Sequence, residues 1–138
     1  MYHKYKDIFS RITFLERDKM GQQAKKQLQL AVTVLLWDMA YIDGSRNPEE
    51  FAEIVRSIDG EFHLMDEETG QLLGAADLYR EHQDQLEKAL QDITKSYDLV
   101  QREHICDMLT KVALADGEIG LAEQQFLTYI RERLDLVK

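Results

Sequence analysis

Two stretches of this chain, 73 positions apart, carry one pattern. In the first, Leu36, Ala40, Asp43, Gly44, Glu50 and Ile54 follow in order. In the second, Leu109, Ala113, Asp116, Gly117, Glu123 and Leu127 fall at the same spacing. Each copy reads as an apolar helix, a tight Asp-Gly turn and a second amphipathic helix. Two such helix–turn–helix hairpins bury both apolar faces by packing with pseudo-two-fold symmetry.

The rest of the chain is equally helical in its signals. Tyr5, Ile8, Phe9, Ile12 and Leu15 recur at helical spacing, so residues 1–20 read as an amphipathic helix. Docking on the core is the expected use of its face, ahead of a membrane surface or a partner. Residues 21–138 form the helical domain proper. Its first helix carries Leu28, Val32, Leu35, Leu36 and Met39 on one side. Asn47-Pro48-Glu49-Glu50 is a start signal, with Asn as N-cap, Pro at N1 and Glu at N3. Phe51, Ile54, Val55 and Ile58 follow on that helix. Asp66 is expected to cap a short helix with Leu72, Leu73, Ala76, Leu78 and Tyr79. Arg80–Gln85 bends the chain before the stripe Leu86, Leu90 and Ile93. Asp98 caps the helix of Val100, Ile105, Met108, Leu109, Val112 and Ala113. The last helix starts near Gly120 and buries Phe126, Leu127, Ile130 and Leu134. No segment shows the period-two alternation of a half-buried strand. The expected fold is an all-α, single-domain bundle of about six or seven helices.

Composition agrees. The chain has 138 residues, enough for one domain with a real core, and 44% of them are hydrophobic, which argues against disorder. Pro48 is the only proline, which favours long uninterrupted helices. Twenty-six acidic against 17 basic residues give a net charge of −9. That surface repels phosphate and excludes nucleic acid as the expected partner. A cation, a basic protein or basic loops of a membrane protein match it, and solubility alone also accounts for it. Cys106 is the only cysteine, so no intrachain disulfide forms, as in a reducing compartment. The N-terminal stretch lacks the apolar run of a signal peptide, and Leu28–Trp37 is too short to span a bilayer. A cytoplasmic protein, not itself transmembrane, is expected.

The Asp-Gly-x5-Glu spacing invites comparison with a calcium loop, which has Gly at position 6 and a bidentate Glu at position 12. Positions 1 and 3 would then be Val112 and Leu114, or Met39 and Tyr41, none of which offers a carboxylate. An ordinary EF-hand is excluded. Turn chemistry accounts for the same residues: Gly44 and Gly117 for a positive φ, Asp43 and Asp116 for Asx turns, and Glu50 and Glu123 for first-turn positions of their helices. If the two turns converge, Asp43, Glu50, Asp116 and Glu123 form one acidic site. Crowded carboxylates are costly unless protonated, hydrogen-bonded or neutralised, and oxygen ligands suit a divalent cation such as calcium or magnesium. Elsewhere no catalytic constellation assembles. His104 and Cys106 are two apart and face different ways on a helix. His3, His63 and His82 are scattered, Cys106 reads as a small semi-buried residue, and Trp37 reads as packing.

The stretch KVALADGEIGLAEQQFLTYI resembles the hallmark of the tellurite-resistance TerB-like family, and LLWDMAYIDGSRNPEEFAEIVRSI is similar to that family's first copy. Between them, EFHLMDEETGQLLGAA resembles its middle segment. The resemblance covers roughly residues 27–136. It implies an all-helical, pseudo-two-fold domain without catalytic activity. It further implies a link to bacterial tellurite or other stress resistance, with a role in metal-ion sensing or binding near membrane partners. The acidic positions carried over are Asp43, Glu50, Asp116, Glu118 and Glu123. The first copy departs from the pattern: Tyr41-Ile42 replaces small residues before Asp-Gly, and Arg46 sets a cation beside the acidic positions. The expectation is therefore a non-enzymatic domain that acts through protein contacts, with a divalent cation as modulator. The alternatives are a metal-dependent hydrolase using the Asp/Glu cluster and a helical oligomerisation module.

Overall fold

The computed structural model describes residues 22–42, 47–80 and 82–136. Six helices occupy them: α1 (Gln22–Tyr41), α2 (Pro48–Phe62), α3 (Asp66–Tyr79), α4 (Gln83–Ser96), α5 (Leu99–Ala113) and α6 (Leu121–Arg133). No strand occurs among the described residues. The expected all-α bundle is what forms, while the helix expected over residues 1–20 lies outside the described residues.

The starts and stops follow local chemistry. Asn47 caps α2, its Oδ1 accepting from the Glu49 and Glu50 N–H groups at 2.9 and 3.2 Å, with Pro48 at N1. Asp98 caps α5 reciprocally: the Gln101 N–H donates to Asp98 Oδ1 at 2.8 Å and the Asp98 N–H to Gln101 Oε1 at 3.0 Å. At α3 the expectation shifts by one residue. Met65 is the N-cap and Asp66 is the first helical residue. Met65 has no oxygen to offer, and Glu68 supplies only the returning half of the box, accepting the Met65 N–H at 3.0 Å.

The repeat is visible in the packing. α1 pairs with α2 and α5 with α6; α1 also meets α5, α2 meets α5, and α1 meets α6. Exchanging the two hairpins maps this set of neighbours onto itself. Burial matches position by position. Val32 and Ile105, Leu36 and Leu109, and Met39 and Val112 are all 0% exposed. Leu28 pairs with buried Gln101, whose polar end is consumed by the cap. Each fully buried Leu or Ile contributes about 1.5–3 kcal/mol relative to exposure.

The symmetry breaks on one face of α1. The sequence pattern predicts a one-sided stripe there, but every residue from Ala31 to Trp37 is buried. The extra positions are Ala31, Val34 and Trp37. Their equivalents on α5 are His104, Asp107 and Thr110, which are half-buried or exposed. The reason is α3 and α4, which pack against α1 and make it the central helix. Ala31 and Val34 line the seam with Tyr79 and Ala89, and the Trp37 indole donates to Asp77 Oδ1 at 3.1 Å. The periodicity of a helix covered on all sides has no preferred direction, so a stripe could not reveal it. Conversely, Leu78 and Val100, read as part of the apolar faces, are 72% and 59% exposed.

Candidate functional site at the hairpin tips

The residues of the two turns place the candidate site. In the second tip, Gly117 adopts φ 111°, a region L side chains rarely enter, so the expected glycine turn forms. Asp116 is exposed, and its Oδ1 accepts the Glu118 N–H at 3.4 Å in an open Asx turn. Gly120 then starts α6. Its N–H donates to Glu123 Oε1 at 2.8 Å, and a Cβ at position 120 would sit 3.3 Å from that oxygen. The missing side chain lets the carboxylate fold back. Glu123 is thereby 5% exposed, and Glu50, at the matching place on α2, is 1% exposed. Both occupy the first-turn position that the spacing predicts.

The two tips meet. Asn47 Nδ2 donates to Asp116 Oδ2 at 3.4 Å across 69 positions of chain. Asn suits this double task because its carbonyl oxygen caps the helix while its amide keeps donors to spare. Asp or Ser at the cap would lack the amide donors. The repeat places Gly120 opposite Asn47, so this link is one-sided and the pattern could not announce it. Of the four carboxylates expected at one site, Asp116 lies at the contact, while Glu50 and Glu123 are buried in their helix starts. Asp43 lies outside the described residues. Among the described residues no group of three His, Cys, Asp or Glu side chains is arranged to hold a metal ion.

Beside the first tip, Trp37 stacks edge-on against Phe51 at 5.6 Å and tilts against Tyr41 at 5.5 Å. The Arg80 guanidinium lies 4.4 Å over the Tyr41 ring and 3.7 Å from Asp77. Burial pushes the neighbouring Asp38 carboxyl up to about 7, and Arg80 offsets part of that rise. The native state therefore holds this proton more tightly than the unfolded chain. The resulting stability is full below about pH 4 and is lost as pH rises through about 7. Asp38→Asn is expected to melt like the wild type near pH 4 and at a higher temperature above pH 7. Equal shifts at both values would contradict this origin. Cys106 is 1% exposed rather than semi-buried, and burial pushes its thiol up to about 11. It is inert packing.

The cap and the link separate by mutation. Asn47→Ala is expected to cost about 1 kcal/mol at any salt concentration. Asn47→Asp keeps the cap but sets a second carboxylate against Asp116. Its deficit is expected at low salt and neutral pH and should shrink with added NaCl. Urea unfolding of both variants at two salt concentrations checks this.

The fold and this site define an all-α protein of two helix–turn–helix hairpins joined, through Asn47 and Asp116, at one end of the bundle. The family model described as Tellurite resistance protein TerB matches residues 29–138, and the chain belongs to that family. It is a helical domain of the tellurite-resistance type. Neither a curated protein nor a solved structure matches it significantly. Among the described residues no helix is long and apolar enough to cross a membrane.

Proposed function

We infer that this domain is non-enzymatic and serves tellurite or related stress resistance through protein contacts made at the joined hairpin tips. The meeting of Asn47 and Asp116 carries this reading, because it turns two separate turns into one surface. Around it, Ile42, Phe51, Leu114 and Leu121 are 36–71% exposed, an apolar fringe beside the acidic Asp116 and Glu118. Exposed apolar groups rimmed by charge are typical of contact surfaces. A divalent cation, calcium or magnesium, would modulate the surface through Asp116 and the acidic positions of the other tip. A hydrolase would need carboxylates converging on a concave pocket with an open coordination position. The cavity beside this tip holds about 10 Å³, room for one water, between Trp37, Ala40, Tyr41, Asn47, Phe51 and Ile54. That supports binding over catalysis.

The test compares growth on tellurite of cells that carry this chain, cells from which it is deleted, and deleted cells given back the chain or a variant. Leu114→Glu with Leu121→Glu, both at exposed positions, is expected to fold normally and fail to restore growth. Full restoration by the double variant would overturn the tip as the contact surface. Unaltered growth when the chain is deleted would overturn the resistance role. For the cation, calorimetric titration of the whole chain with calcium and magnesium is expected to give heat that Asp116→Asn removes. No heat at millimolar metal would remove the cation from the proposal.

A further inference from the structure

A second surface lies at the other end of the bundle. The joined tips follow the C-terminal end of α5, so its N-terminal end lies at the opposite end. There an open groove of about 600 Å³ runs along α5 between Leu99, Val100, Glu103, His104, Asp107, Asp135 and Leu136. Its apolar floor is unusually bare: Leu99 is 54% and Val100 59% exposed. Its rim is acidic. Arg131 pairs with Glu103 and also feels the Asp107 carboxylate, while among the described residues no ion pair holds Asp135.

We propose that this groove is the docking site of the chain's own first 21 residues. Charge selects them. That stretch holds five basic residues (Lys4, Lys6, Arg11, Arg17 and Lys19) against three acidic ones, while the remainder holds twelve basic against twenty-three acidic. Pattern selects them too, since Tyr5, Ile8, Phe9, Ile12 and Leu15 repeat at helical spacing and match a floor of Leu and Val. Length permits it. A helix over residues 5–15 would be about 16 Å long, and Leu99 to Asp107 spans about 12 Å. Residues 16–21 reach up to about 20 Å, about twice the 8–10 Å between packed helices such as α1 and α5, which leaves length to pass round α5 to its exposed face. A smaller groove of about 200 Å³ beside α1, floored by Leu64, Leu72 and Ala75, is the competing seat. Its rim carries Lys26 against a single acid, Glu68, and so has no net negative charge, which makes it the poorer match for a basic segment.

A nitroxide on Ser10→Cys in the full chain decides between them. Helical spacing sets position 10 opposite the stripe, and buried Cys106 does not take the label in the native protein. The strongest amide broadening is expected at Leu99, Val100, Asp107 and Leu136. Leu99→Asp with Val100→Asp, at exposed positions, is expected to reduce it several-fold without changing the melting temperature. Strongest broadening at Leu64, Leu72 and Ala75, or none on any helix, would overturn the proposal. So would equal broadening when label and ¹⁵N sit on different molecules, which would assign the groove to a second copy.

Discussion

Val34→Asp is expected to destabilise the domain by about 4 kcal/mol or more, enough to unfold a marginal bundle. The equivalent change in the other direction, Asp107→Val on α5, is expected to alter stability by less than about 1 kcal/mol. The repeat pairs these two positions, yet Val34 is 3% exposed beneath Tyr79 and Ala89 and Asp107 faces solvent. A carboxylate at 34 would enter the apolar seam between α1, α3 and α4, where Lys88, the cation of its lining, is already paired with Asp92. Urea denaturation of both variants measures the asymmetry directly. Comparable losses would mean that α1 is not the central helix, and the account of the broken symmetry would fall with it.

Trp37→Ala is expected to cost about 3–5 kcal/mol. The ring is 3% exposed and touches Tyr41, Phe51 and, through its N–H, Asp77. It thus joins α3 to the start of α2 at the tip. Trp37→Phe retains most of the buried ring and loses the donor. Asp77 has a half-exposed side chain and stays hydrated, so that variant is expected to lose about 1 kcal/mol or less. Because Trp37 is the only tryptophan, unfolding of both variants is followed by far-UV circular dichroism. A small loss in the Ala variant would show that the tip packs without this ring.

Most helix boundaries were legible because they are set within a few residues of chain. Asn47 with Pro48, and Asp98 with Gln101, carry their own hydrogen-bond partners, and Gly117 carries its own permission for positive φ. Asp66 misled because carboxylates crowd the first turn of α3, where the dipole welcomes them, and the cap one residue earlier has no polar side chain. Trp37 was legible as packing. Its partners were not, because Asp77 is 40 positions away. The acidic positions at 50 and 123 were readable as helix starts, and their burial follows from that role.

Two repeats of one apolar pattern determined by themselves that this chain forms paired helical hairpins, since an amphipathic hairpin must cover its face and the second copy supplies the cover. The second Asp-Gly turn, and the Glu that follows at each helix start, were determined locally too. Only the tertiary structure decided which hairpin holds the centre, because α3 and α4 had to choose a face, and Ala31, Val34 and Trp37 offered one that His104, Asp107 and Thr110 did not. Only it decided that the tips touch: a side-chain amide reaching across 69 positions leaves no periodic trace in the chain. Periodicity records how a helix meets its nearest cover, whereas contact between distant turns depends on how the hairpins cross.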